Sequence, residues 1–161
     1  GKRVLDIGCN QGGMLFELSH LIESGVGIDF NRLLINTASR VRRARGDTHL
    51  DFYTFDLAQE PLDLIRHFLP SGQVDIVFML SVCLYLPNCD EVINAAASIS
   101  DALLFESNGW DIQQRHELEH LRAVYSNVRL VHDESLDDKW IGRRPRKLYF
   151  CIKGRADQLD S

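Results

Sequence analysis

The chain has no apolar stretch long enough to cross a bilayer, so a spanning helix is not expected. It has no excess of positive charge either. Its 18 Lys and Arg against 23 Asp and Glu leave a net charge of −5, which gives no general attraction to nucleic acid or to an anionic membrane surface. Cysteine is sparse: Cys9, Cys83, Cys89 and Cys151 form no C-x-x-C pair and no regular framework. That argues against a zinc ribbon or a disulfide-stapled secreted module, and fits packed thiols in a reducing, cytoplasmic setting. The opening residues do not read as a signal peptide, and no internal repeat or low-complexity segment follows. With 45% apolar and 25% charged residues over 161 positions, one globular domain with a substantial core is expected.

What is present is concentrated at the start, in Lys2-Arg-Val-Leu-Asp6-Ile-Gly8-Cys-Asn10-Gln-Gly12-Gly13. Val4, Leu5 and Ile7 read as a short, fully buried parallel strand. The chain breaks at Gly8, turns through Gly12 and Gly13, and resumes with helical period at Met14, Leu15, Leu18, Leu21 and Ile22. Strand, glycine turn and helix open a Rossmann-like βαβ unit, where a nucleotide-type cofactor meets the carboxyl edge of the sheet. Two glycine registers fit. A dinucleotide fingerprint uses Gly8, position 10 and Gly13; a D-x-G-x-G-x-G loop uses Asp6, Gly8, position 10 and Gly12. Both lose their middle glycine to Asn10. Asp6 separates them, because a carboxylate there suits a cationic amino-acid head group and sits badly beside a pyrophosphate. A tight turn with no ligand is the plainer alternative.

Further along, strand and helix alternate. Gly25 to Asp29 is a second buried strand ending in a carboxylate, 23 residues after Asp6 and near the interval of about 20 expected for a ribose-binding acid. Asp29 serves equally as the N-cap of the next helix, and Phe30 either covers an adenine face or enters the core. The helix from Arg32 to Arg45 is expected to bury Leu33, Leu34, Thr37, Ala38 and Val41. Arg40, Arg42, Arg43 and Arg45 crowd its end, where cations complement the helix dipole without any nucleic acid. His49 to Phe55 alternates as a third strand. Asp56, at its end, can accept the adenine amine with Leu57 packed nearby, or simply make a turn. A fourth strand, Val74 to Leu80, runs into Ser81 and Tyr85, over the reactive end of a cofactor. Asn88-x-x-Glu91 and Asp111-x-x-Gln114 read as helix caps flanking a fifth strand that ends at Glu106. Val128 to His132 and Lys147 to Lys153 close the chain, with Val128, Leu130, Leu148, Phe150 and Ile152 inward. Between them lies the basic knot Arg143-Arg144-Pro-Arg146-Lys147.

On Asp6-x-Gly8-x-Asn10-x-Gly12, Asp29, Asp56, the Asp75 strand and the terminal pair, the sequence resembles the class I S-adenosylmethionine (SAM) methyltransferases over nearly its whole length. The resemblance implies an α/β fold: a Rossmann-like, seven-stranded, mostly parallel sheet with helices on both faces and a C-terminal antiparallel β-hairpin. It implies a methyltransferase domain over residues 1–153, a polar tail at 154–161, and SAM held by Asp6, Gly8, Asn10, Gly12, Asp29, Phe30, Asp56, Leu57 and Ser81. Local wording is similar to two groups, the enzymes that methylate the terminal phosphate of small RNAs and the methyltransferase halves of O-antigen chain terminators. Both carry an Arg-Pro near the last strand, which points to Arg144. Glu106 is the best-placed base, Tyr85 the second, and Arg143, Arg144 and Arg146 are candidates to hold an anionic acceptor. The expected reaction is methyl transfer to an oxygen of a small-molecule, glycan or RNA-end acceptor. The lid that usually precedes the first strand in this class is not seen, so the chain reads as part of a longer polypeptide. A non-catalytic binding module of the same fold is the main rival.

His116-Glu117-Leu-Glu-His120 also matches the zinc-hydrolase pattern H-E-x-x-H. With Leu118, Leu121 and Tyr125 taken as the buried face, both histidines point to solvent and no third ligand follows, so no metal is expected.

Overall fold

The computed structural model describes residues 1–134 and 145–154. It divides into two compact units, Gly1–Phe78 and Met79–Ser161. In the first, β1 (Arg3–Ile7), α1 (Gly13–Leu18), β2 (Ser24–Asp29), α2 (Arg32–Arg45) and β3 (Leu50–Thr54) precede a 3₁₀ segment, Leu62–Phe68. β4 (Ile76–Leu80) runs through the junction. The second unit holds a 3₁₀ turn at Cys83–Tyr85, then α3 (Cys89–Ile99), β5 (Ala102–Glu106), α4 (Asp111–Val124), β6 (Asn127–His132) and β7 (Leu148–Ile152). The strands form one seven-stranded sheet in the order β3-β2-β1-β4-β5-β7-β6, the Rossmann-like arrangement expected from the sequence.

In the first unit β2 pairs in parallel with β1 and β3. Val4, Leu5, Ile7, Val26, Ile28, Leu50 and Phe52 are buried, which is why these strands read as short apolar runs. An Arg3–Asp75 pair ties the start of β1 to the segment before β4 (Nε to Oδ2 3.1 Å). In the second unit β7 runs antiparallel to both β5 and β6, so β6 keeps the direction of β5.

Several expectations need correction. α1 has only six residues; Leu15 and Phe16 are its buried pair, while Met14 and Leu21 are exposed. α2 has the expected bounds but turns Ile35 and Ala38 inward, leaving Leu33, Thr37 and Val41 exposed. At 100° per residue, positions 33 and 37 lie on the side opposite 35 and 38, while position 41, three residues after 38, lies at the margin of the buried face. The arginines at its end make local contacts, with Arg42 on Asp51 (3.1 Å) and Arg45 on Asp47 (2.7 Å). On β7 the fully buried residues are Tyr149 and Cys151, while Leu130 on β6 is exposed. Asn88 is the N-cap of α3 without a capping side-chain bond. The reading of four packed thiols holds only for Cys9 and Cys151. Cys83 and Cys89 are paired, because the turn between them brings their Cα atoms to 5.2 Å, within disulfide range. Of the polar tail, residues 155–161 lie outside the described residues.

Candidate active site

The loop after β1 alternates hand. Gly8, Asn10 and Gly12 have φ of +75°, +53° and +80°, and no other residue from 1 to 45 has a positive φ. That pattern selects the D-x-G-x-G-x-G register over the dinucleotide one: Gly13 is the first residue of α1, and a Cβ on it would meet nothing within 4 Å. It also accounts for the lost middle glycine. Asn is one of the few side chains that tolerate the left-handed region, so Asn10 keeps the conformation that glycine would supply. The Gly8 and Cys9 N–H groups both donate to the Ile28 carbonyl (2.9 and 3.0 Å), hanging the loop on β2.

Asp29 clasps the same loop. Its Oδ2 accepts from the Asn10 N–H (3.0 Å) and its Oδ1 from the Asn31 N–H (2.8 Å). It is not the cap of α2, as one reading of the sequence had it. Asn31 is the cap, its Oδ1 accepting from Leu33 and Leu34. Phe30 is 70% exposed, so it has no core role. Asp56 is half-buried and makes a turn, its Oδ1 accepting from the Ala58 N–H (2.9 Å); Leu57 is buried beside it in sequence.

Asp6 is buried on β1, opposite Gly27 of β2. Burial, and secondarily the Asp29 carboxylate, push its carboxyl up to about 7. The Cys9 thiol is likewise pushed up by burial and by the same two carboxylates, so it stays protonated and is no nucleophile. The sign for Asp6 follows from linkage. The folded chain holds this proton to higher pH than the unfolded chain, so ionising it opposes folding. The penalty is absent well below pH 4, grows as pH rises, and is complete above about 7. Asp6→Asn should therefore abolish a loss of about 2–3 kcal/mol that wild type suffers between about pH 5 and about pH 8, read as the difference between the two proteins in urea titrations. Parallel pH profiles for the two proteins would show that Asp6 does not carry this charge penalty.

In the second unit, Ser81 follows β4 with φ +58°, a conformation uncommon for a residue other than Gly, Asn or Asp. Its surroundings fix it there. The Ser81 N–H donates to the Glu106 carbonyl (3.1 Å), and the Ser81 carbonyl accepts from Asn108 Nδ2 (2.7 Å). The Ser81 hydroxyl donates to Glu106 Oε2 and accepts from Arg146 Nη1 (2.6 Å), which also lies 3.3 Å from that carboxylate oxygen. Ser81, Glu106 and Arg146 thus form one cluster at the carboxyl ends of β4 and β5. The sequence reading treated Arg146 only as a candidate anion holder; its place beside Glu106 was not foreseen. Ser107 and Gln114 hold the flanking backbone: the Ser107 hydroxyl donates to Gln114 Oε1 (2.9 Å) and accepts from the Lys147 N–H (3.1 Å). Consequently Gln114 is not the capping residue of α4. Gln113 is, its Oε1 accepting from the Trp110 N–H (2.8 Å). Tyr85 is exposed on the 3₁₀ turn. Arg143 and Arg144 lie outside the described residues.

The H-E-x-x-H residues are dispersed. His116 Nε2 sits 2.9 Å from Asp90 Oδ2, and His120 Nε2 sits 3.1 Å from Asn94 Oδ1, so both imidazoles engage α3. His120 is therefore only partly in solvent, contrary to expectation. The buried face of α4 is Gln114, Glu117 and Leu121, with Leu118 half-exposed. Among the described residues no three His, Cys, Asp or Glu side chains are grouped to hold a metal ion, and no helix is long and apolar enough to cross a membrane.

A family profile described as a methyltransferase domain matches residues 5–103. The N-terminal domain of EvdMO1, solved with SAH bound, superimposes with a TM-score of 0.78 at 12% identity, over 96% of this chain and 76% of that one. The bifunctional kinase-methyltransferase WbdD superimposes with a TM-score of 0.70 at 21% identity, over 94% of this chain and 34% of that one. The [4+2]-cyclase SpnF gives 0.64 at 19% identity, over 83% and 54%. The chain spans only 37% of the longer EvdMO1 chain. Comparison with curated protein sequences finds no match.

Proposed function

Because the chain belongs to the methyltransferase-domain family, we propose that it transfers the methyl group of SAM to an oxygen of an acceptor carrying phosphate or carboxylate. The chain is a SAM-dependent methyltransferase. When bound, SAM supplies a methyl carbon already activated by the positive charge of its sulfonium. The residues fit such a cofactor. A buried carboxyl pushed up to about 7 gains from a cationic head group, which offsets the charge that burial penalises, and Asp6 is that carboxyl. The observation that carries the reading is the left-handed run at positions 8, 10 and 12 clasped by Asp29.

In this assignment Gly8, Asn10 and Gly12 lay bare backbone against the amino-acid part of the cofactor. Asp29 accepts from the ribose hydroxyls, and Phe30 covers the adenine face with the aromatic surface it exposes. Asp56 and Leu57 meet the adenine edge, and Ser81 stands at the reactive end. The chain's main contribution is to hold the acceptor oxygen in line with the methyl carbon and away from water. Glu106 takes the acceptor's proton, with Tyr85 as the second candidate, and Arg146 orients the Glu106 carboxylate through the contact described above. Arg144, with Arg143 and Lys147, grips the anionic group by forked or charge-assisted hydrogen bonds. Glycans and RNA ends are the acceptor classes that fit an anionic group next to a free oxygen.

A methyl-transfer screen over anionic and neutral sugars, nucleotides and short RNAs tests this, with wild type and Arg144→Glu compared side by side. Charge reversal should lower kcat/KM for the acceptor by roughly tenfold or more and leave SAH affinity unchanged. A neutral preferred acceptor, or a variant that transfers methyl at the wild-type rate, would return the basic segment to the role of a solvated loop.

A further inference from the structure

The buried face of α4 carries Gln114 two turns before Leu121. An amide is costly there unless its polar atoms are bonded, and an apolar residue of similar length avoids that cost. Gln114 uses both ends of its amide. Oε1 accepts from the hydroxyl of the fully buried Ser107 (2.9 Å), while Nε2 donates to the Gly109 carbonyl (3.1 Å) and to the Pro145 carbonyl (3.3 Å). Carbonyls only accept, so a single orientation of the amide satisfies all three partners.

The Pro145 contact reaches 31 residues along the chain, to the residue just before Arg146. On the other flank, the Lys147 N–H donates to Ser107 Oγ (3.1 Å) and the Lys147 carbonyl accepts from the Ser107 N–H (2.9 Å). Residue 146 is therefore held from both sides by one buried pair, Ser107 and Gln114. Between those flanks the Arg146 side chain meets Ser81 Oγ at 2.6 Å and Glu106 Oε2 at 3.3 Å. Capping of α4 does not account for Gln114, because Gln113 supplies the cap.

We propose that Gln114 is a positioning residue for methyl transfer: by fixing the backbone on either side of residue 146, it holds the Arg146 guanidinium on Ser81 and Glu106. A fully bonded, water-excluded network specifies one arrangement, whereas a free arginine side chain samples many. Reaction rates are sensitive to displacements of about 1 Å in such a cluster, so the helix amide acts on the chemistry without touching acceptor or cofactor. The inference rests on the reading in which Glu106 takes the acceptor's proton and Arg146 orients its carboxylate.

The experiment combines NMR of the full chain with methyl-transfer assays. Gln114→Met, apolar and of similar length, is the main variant, and Ser107→Ala is a milder one. In wild type the Arg146 Nη protons should give separate signals, because a guanidinium held by two oxygens rotates slowly; both variants should merge them. Gln113→Ala, which removes the cap of α4, should leave them separate. Tritium transfer from labelled SAM to the anionic sugars, nucleotides and short RNAs of the screen above gives the second readout. Gln114→Met should lower kcat by about tenfold or more with SAH affinity unchanged. In an Arg146→Gln background the same substitution should cost nothing further, since it acts through that side chain. Separate Arg146 signals in Gln114→Met, or losses that multiply in the double variant, would overturn the proposal. Arg146→Gln at the wild-type rate would overturn the reading of the Glu106–Arg146 pair and this inference with it. If no member of the screen is methylated, the acceptor reading fails, and the Arg146 signals decide by themselves whether Gln114 places that side chain.

Discussion

Asp29→Ala is expected to weaken binding of SAM and SAH by about 3 kcal/mol or more, above a hundredfold. The size follows from what the carboxylate already does before any ligand arrives. One oxygen holds the Asn10 N–H of the glycine loop and the other holds the Asn31 N–H at the entry to α2. Hydrogen bonds to a charged group are worth about 1.5–3 kcal/mol each, and an alanine takes the acceptor from two part-buried N–H groups. Losing the proposed ribose contacts adds to losing the loop. Asp29→Asn is not conservative here, because its amide NH₂ must face one of two N–H donors; it should fall between alanine and wild type. Asn31→Ala is the control. It removes the α2 cap at a cost of about 1 kcal/mol while leaving Asp29 and the loop bonded, so cofactor affinity should hold. Calorimetry with SAH separates the outcomes, and an Asp29→Ala protein that binds SAH like wild type would place the cofactor elsewhere.

Gly12→Ala should destabilise the fold by about 2–5 kcal/mol, by two separable effects. The first is conformational: at φ +80° an L side chain costs about 1–2 kcal/mol. The second is packing. The new Cβ would stand 2.6 Å from a Phe52 ring carbon and 3.0 Å from the Phe16 ring. Phe52 cannot slide away easily, because the same ring lies where a Cβ on Gly27 would be, 2.7 Å off, and packs on Phe16 at 5.3 Å. Two comparisons isolate the parts. Gly46→Ala has the same hand at φ +76° and open space, so it should show the conformational effect alone. Gly13→Ala, in open space at the first helical residue, should be neutral or slightly stabilising. Urea unfolding gives the ranking, and a Gly12→Ala no worse than Gly46→Ala would mean the ring gives way.

The fold was legible where local chemistry and tertiary role agree. β5 ends at Glu106 and α2 ends before Gly46, as read, because apolar runs and a left-handed glycine mark those limits by themselves. The glycine register was not settled by counting glycines, since Asn10 breaks both patterns; backbone hand decided it. The inward face of α4 was misread for a related reason. Gln114 and Glu117 are polar, and an apolar stripe places them outside, whereas their burial depends on partners such as Ser107 that come from the preceding loop. Arg146 looked like one more member of a basic run, because nothing adjacent announces a carboxylate on another strand.

The insertion of β7 between β5 and β6 bears on how the second unit is made. A ribosome delivers β6 before β7, yet among the described residues β6 has no strand to pair with until Leu148–Ile152 emerges, since β7 bridges it to β5. During that interval Leu130 and Val131, exposed even in the finished sheet, sit on a strand with both edges bare. Closure of this part of the sheet is therefore a late, non-local event in synthesis, and the stretch before it is where a nascent chain is most open to chaperones and to self-association.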